Sequence, residues 1–270
     1  MIKKCAICLR GKCKDTNINS KSNYKERIDY KLCINRIFLN IINNNLDYTF
    51  DFYLHGWIDD INLINEIIKD YKPVKYILEL QKDFKNDYIN INNYSLILKE
   101  RYKHLHKNKN YDNIYYNNYF QNIFSYAYSI SKVIELINDI DYHYIINLRY
   151  DLYLIEKINL NDLNNDLVYV DYVGKSQSPL FIGDFLYISN KNNTLFLKNF
   201  YNFMKNNIFN NIEYKNWTDN IIKNKNKEGR YDHGIYSNQM IYAYFITKNG
   251  IPYNNIVNKY NCKIIKKIIY

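Results

Sequence analysis

The sequence predicts an α/β protein whose mostly parallel central sheet carries helices on both faces, and three observations predict it. Segments rich in strand formers alternate with segments of helical period, in the order β-α-β-α-β over the first third of the chain. The strand segments read as near-continuous apolar runs, as strands covered on both faces do. The 270 residues suit one domain, because single cores stop growing near about 250–300 residues. With 47% hydrophobic and 17% aromatic residues they also carry ample core material.

The elements follow in order. Residues 5–9 form a short apolar run that empties into Arg10, Gly11 and Lys12, a first buried strand with a polar, glycine-containing exit. From Ile28 to Asn44 the apolar positions Ile28, Leu32, Ile37, Phe38, Ile41 and Ile42 fall near a period of 3.6 and end in asparagines, which predicts a helix with a polar stop. Residues 48–54 predict strand two, followed by a loop from His55 to Asp60. Ile61, Ile64, Ile68 and Tyr71 share a helical face closed by Pro73, and Val74 to Leu80 gives a third strand. The Asn-, Tyr- and Lys-rich stretch 82–121 reads as an insertion or loop, with His104 and His106 as surface histidines. Ile123, Ala127, Ile130, Ile134 and Ile137 mark an amphipathic helix, and 142–154 a long apolar strand interrupted by two charges. Strands at 167–173 and 181–189, a helix at 194–207, a lysine-rich loop at 223–230 and a helix at 235–247 complete the pattern, leaving the tail after Pro252 unplaced.

Composition narrows the function classes. The net charge of +10 would suit a polyanionic partner, but the lysines are scattered and carry no interleaved recognition pattern, so a solvated face is expected instead of a nucleic-acid site. Asn, Ile, Lys, Tyr and Phe share A/T-rich codons, and the bias reads as genomic. No apolar run approaches the roughly 18–20 residues of a membrane span, and the residues after Met1 are too short for a signal peptide, so a cytoplasmic protein is expected. The five cysteines do not suggest a disulfide framework. Cys5 and Cys8 lack a second pair for zinc and read as small core hydrophobes.

In parallel sheets ligands bind at the carboxyl ends of strands, and the polar residues of this chain gather there: Arg10 and Gly11, His55 to Asp60, and Arg149 with Asp151. No dinucleotide fingerprint, Walker A sequence or nucleophile elbow occurs. Arg149 and Asp151, two residues apart, fall on one side of a strand. They suit either a phosphate-bearing, metal-bound ligand or a structural pair capping the strand.

Four phrases in register then carry a resemblance: residues 5–11 (CAICLRG), 51–59 (DFYLHGWID), 71–76 (YKPVKY) with Glu79 to Gln81, and 144–152 (YIINLRYDL). They resemble the capsular-polysaccharide-type glycosyltransferases of bacteria and giant DNA viruses, over roughly residues 3–190. The resemblance implies a single GT-A-like domain over 1–270 with a Rossmann-like sheet. About 1–155 would bind a nucleotide-sugar, such as a UDP- or GDP-sugar, and about 156–270 would face a glycan acceptor. Leu9, Arg10 and Gly11 would meet the nucleotide, His55 and Trp57 would sit beneath it, and Arg149 would steady the leaving diphosphate. Asp151 would hold Mn²⁺ or Mg²⁺. Arg149 stands where the family has its first acidic residue, so either Asp151 alone binds the metal or metal is dispensable. Asp184 would be the general base or would satisfy a turn, and Asp232 with His233 would add a metal or diphosphate contact or cap a helix. The resemblance and composition together imply a giant virus modifying its glycans in host cytoplasm. A non-catalytic glycan-binding relative and a basic nucleic-acid-binding protein are the competing classes.

Overall fold

The computed structural model describes residues 2–13, 30–88, 113–137, 140–170, 186–209, 211–225, 237–251, 253–255 and 262–264, with the backbone alone for 113–119, 221–225 and the last two strands. The chain runs β1 (Lys3–Lys12), α1 (Tyr30–Asn40), β2 (Tyr48–Trp57), α2 (Ile61–Tyr71), β3 (Lys75–Glu79), α3 (Lys85–Tyr88), α4 (Asn113–Glu135), β4 (Tyr144–Arg149) and β5 (Leu152–Leu154). It continues with β6 (Val168–Val170), β7 (Leu186–Ser189), α5 (Lys191–Leu195), α6 (Phe200–Asn207), α7 (Ile212–Lys225), α8 (Asn238–Lys248), β8 (Tyr253–Asn255) and β9 (Cys262–Ile264).

The main sheet has the order β3-β2-β1-β4-β7-β6-β8. β1 pairs in parallel with both β2 and β4, β2 with β3, and β6 with β8. Only β7 runs against its neighbours β4 and β6, so the expected mostly parallel α/β sheet is present. Both faces are covered. Ala6, Cys8, Tyr53 and Trp57 pack with α4, α6 and α8, whereas Cys5, Ile7, Leu9, Phe52 and Leu54 pack with α1 and α2. This alternation explains the C-x-x-C spacing. A period of two sends Cys5 and Cys8 to opposite faces, where each is buried and its thiol is pushed up by loss of solvent.

Several sequence expectations shift in detail. In α1 the buried face is Tyr30, Cys33, Ile34 and Ile37, while Phe38 is exposed. In α2 it is Leu63, Ile67 and Tyr71, while Ile61 is exposed. The apolar excess of this composition blurs both stripes. The polar stop after α1 is specific: the buried Asn45 amide donates to Ile41 O and Ile158 O, and its Oδ1 accepts from Leu160 N. The long strand of 142–154 is broken. β4 ends at Arg149, a turn takes Tyr150 and Asp151, and β5 pairs antiparallel with β9, which places part of the tail. Helix α4 begins inside the stretch read as an insertion, and α7 covers 212–225, part of which was read as a lysine-rich loop. Among the described residues no helix is long and apolar enough to cross a membrane.

Candidate functional site

The chain leaves β1 for β2 and β3 on one side, then returns through α4 to β4 on the other side of β1. The carboxyl ends of β1 and β4 therefore bracket the switch point, where a crevice opens in sheets of this kind. On the rung that closes it, Arg10 of β1 is paired with Arg149 of β4 and with His55 of β2. Three residues distant in sequence thus form one row across the sheet.

Arg10 is buried, with its guanidinium 4.8 Å from the ring centre of Tyr126 on α4. Its Nε donates to Asn147 Oδ1 at 2.6 Å. Asn147 is buried, and its Nδ2 has no hydrogen-bond partner among the described residues. Sequence reasoning missed Asn147. The available signal was an amide inside an apolar run, two residues before Arg149 and hence on the same face of β4.

Gly11 follows with φ +100°, a conformation that L side chains rarely adopt, and a Cβ there would meet nothing within 4 Å among the described residues. Glycine therefore lets the strand leave its rung in this conformation. Gly56 is tight instead: a Cβ would lie 2.4 Å from Cys13 Sγ and 2.8 Å from Leu78 Cδ2. Leu9 points its side chain into the α1/α2 core, opposite Arg10, so only its backbone lies near the row.

His55 and Trp57 were expected in a loop after strand two; they belong to β2, which extends to Trp57. Edge pairing with β3 prolongs the strand, with His55 beside Ile77 and Trp57 beside Glu79. Both face α4 and are buried. His55 lies edge-on to Trp57 (4.7 Å) and Tyr128 (5.7 Å), and Trp57 stacks on Tyr128 at 5.6 Å. His55 Nε2 is 3.1 Å from Glu79 Oε1, yet burial outweighs the carboxylate and holds the imidazole down at about 4, hence neutral. His55 Nδ1 and Trp57 Nε1 have no partner among the described residues. Lys82 Nζ lies 4.9 Å and Lys132 Nζ 5.6 Å from the Tyr128 ring centre, giving the β2/β3 end a cationic aromatic surface.

At the β4 exit Arg149 Nε donates to Asp151 Oδ1 at 2.7 Å, and Nη2 donates to Oδ2. This is a two-pronged pair, the structural alternative that the spacing left open. It bears on the metal expectation, because a hard divalent cation needs several oxygen ligands. Both oxygens of Asp151 are already engaged, and among the described residues no group of three His, Cys, Asp or Glu side chains comes together to hold a metal. The described residues do not fit Mn²⁺ or Mg²⁺. Asp184, Asp232 and His233, like His104 and His106, lie outside the described residues.

No protein-family model and no curated protein matches the chain. Among solved structures it is similar to apo mouse xyloside xylosyltransferase 1, at 7% identity and TM-score 0.35, covering 94% of this chain and 84% of that one. It is also similar to the apo glycosyltransferase GlyE of Streptococcus pneumoniae TIGR4, at 10% identity and TM-score 0.37, covering 94% of this chain and 45% of that one. A third is the galactosyltransferase LgtC in complex with donor and acceptor sugar analogs, at 12% identity and TM-score 0.39, covering 94% and 73%.

Proposed function

We propose that the chain is a glycosyltransferase that moves a sugar from a nucleotide-sugar to a hydroxyl acceptor on a glycan. The observation that carries the reading is the row at the switch point, where Arg10 and Arg149 share a rung at the carboxyl ends of adjacent parallel strands. Two guanidinium groups so placed suit a ligand with two linked phosphates, because arginine is the side chain matched in charge and geometry to phosphate oxygens. The four phrases shared with capsular-polysaccharide-type glycosyltransferases support the same reading and bring these residues together. The bacterial or giant-virus setting and the cytoplasmic location are parts of the proposal that rest on that resemblance and on composition.

In the reaction the acceptor oxygen forms a bond to the anomeric carbon while the bond from that carbon to the phosphate oxygen breaks. The nucleoside diphosphate departs with the bonding pair, and the acceptor proton passes to a base, the role proposed for Asp184. Arg10 and Arg149 stabilise the charge that grows on the leaving diphosphate. Asn147 holds Arg10 in orientation. Gly11 lets the backbone beside Leu9 approach the nucleotide, and His55 and Trp57 support the Tyr128 surface from below.

Thermal unfolding against UDP, GDP, CDP, dTDP and their sugars tests the reading, since a ligand of the folded state raises apparent stability with occupancy. One nucleoside diphosphate is expected to raise Tm, and Arg10→Gln to remove the rise. No shift with any of them, beside RNA binding that falls steeply with salt, would replace the reading with a nucleic-acid one. Asp184→Asn is expected to keep the donor shift and lose transfer; unchanged transfer would remove the base assignment.

A further inference from the structure

We propose that two copies of this chain pair through the edge strand β3, antiparallel about a two-fold axis at Ile77, so that their sheets become one. The inference stands on the sheet edge and is independent of the glycosyltransferase reading. β3 ends the sheet order, and among the described residues no strand lies on its outer side. Ile58 N donates to Glu79 O at 2.8 Å, which turns the odd-numbered residues of β3 toward β2. Backbone groups alternate in direction along a strand, so Tyr76 and Leu78 hold their N–H and C=O toward the outer edge. Val74, Tyr76 and Leu80 beside them are exposed at 45%, 47% and 69%, a run of apolar surface along one short edge.

The order of residues on that edge says what covers it. β3 reads Lys-Tyr-Ile-Leu-Glu, with opposite charges equally far from Ile77. Antiparallel pairing about Ile77 sets Lys75 opposite the partner's Glu79 and Glu79 opposite the partner's Lys75. A slip of the register to either side sets Lys75 against Ile77 or Gln81 instead, so a single register matches both charges. Tyr76 and the partner's Leu78 then exchange both backbone bonds, as do Leu78 and the partner's Tyr76. Ile77 meets its own copy, and Lys75 meets the partner's Glu79, as non-hydrogen-bonded pairs, whose side chains approach most closely. Val74 comes beside the partner's Leu80. Lys75 is exposed and belongs to no ion pair among the described residues, while Glu79, which His55 contacts through Oε1, keeps 37% of its side chain exposed. A lysine on an edge strand ordinarily wards off pairing, and the two-fold register is the one that gives it a partner. The contact is the same patch on both copies, so it closes at two.

Sedimentation of the full chain over about 1–300 µM tests this. An edge contact of this length is small, so the mass is expected to rise from 32.9 kDa toward twice that value with a Kd of about 1–100 µM. A mass of 32.9 kDa throughout overturns the inference. Lys75→Glu and Glu79→Lys, each alone, set like charges opposite one another at both ends and are expected to weaken self-association at least about tenfold. Mixed in equal amounts, the two variants again set opposite charges together and are expected to recover the dimer. Self-association of Lys75→Glu equal to that of the unaltered chain, or a mixture that associates no better than either variant, overturns the proposal. If Glu79→Lys does not fold, Ile77→Cys takes its place, because a residue on the axis lies within disulfide reach of its own copy. Oxidised glutathione is expected to link two Ile77→Cys chains; a yield no higher than that of the unaltered chain overturns the pairing.

Discussion

Acid is expected to weaken this fold through His55. The imidazole has no exposed surface, and burial holds it at about 4 against its ordinary 6.5, despite Glu79 beside Nε2. The unfolded chain takes up a proton near pH 6.5 that the folded chain refuses until about pH 4. The stability attached to neutral His55 is therefore complete above pH 6.5 and is lost as pH falls through that window. At about 1.4 kcal/mol per pH unit, the loss accumulates to about 3 kcal/mol. That is a large share of the stability of an ordinary domain. Urea unfolding of the unaltered chain and of His55→Phe, at intervals from pH 7.5 to 4, measures it, because the difference between the two curves cancels His143 and the carboxylates that do not touch His55. Phenylalanine is chosen to fill the volume among Trp57 and Tyr128. The unaltered chain is expected to lose about 3 kcal/mol more than the variant over the window. Parallel curves would refute the reasoning and show that His55 takes up its proton in the fold as readily as in the unfolded chain.

Gly56→Ala is expected to cost about 1–3 kcal/mol in chemical unfolding through overlap with Cys13 and Leu78. Gly11→Ala meets no neighbour among the described residues but carries backbone strain of similar size, about 1–3 kcal/mol, so Cys13→Ala should recover part of the first loss and none of the second. Asp60 caps α2 by accepting from Asn62 N and Leu63 N, and Asp60→Ala is expected to lower stability by about 1 kcal/mol without changing donor affinity. Asn147→Ala removes the acceptor for Arg10 Nε. It is expected to cost about 2 kcal/mol and to weaken nucleotide binding in calorimetry; unchanged binding would mean that Arg10 needs no such alignment.

The legible part of this molecule was local. Residues 5–9, 48–54 and 61–71 announced their elements because a short apolar run bounded by polar residues, or a 3.6 period closed at Pro73, is a property of adjacent residues, although pairing carries both strands three residues further, to Lys12 and Trp57. The helix faces were less legible, because Phe38 and Ile61 are as apolar as their buried neighbours and only packing shows which side meets the sheet. Helix α7 was missed because its Lys- and Asn-rich sequence shows little of an apolar stripe. Residues 262–264 could not be placed, since a three-residue edge pairs with β5 more than a hundred positions away.

By itself the sequence determined the alternation of buried strands and amphipathic helices, hence a mostly parallel α/β sheet with its polar residues at the strand ends. It also brought forward Arg10, His55, Trp57, Arg149 and Asp151 as the residues on which chemistry would turn. Only the tertiary structure decided how they meet. Sheet register put Arg10, Arg149 and His55 on one rung and gave Arg10 its partner Asn147. Burial under Tyr128 made His55 a neutral supporting group. The turn at Tyr150 and Asp151 folded a carboxylate back onto Arg149. Periodicity states which face of its own strand a residue takes; pairing between strands and the course of a turn join residues far apart in the chain, and those joins settle what a charged side chain finds as its partner.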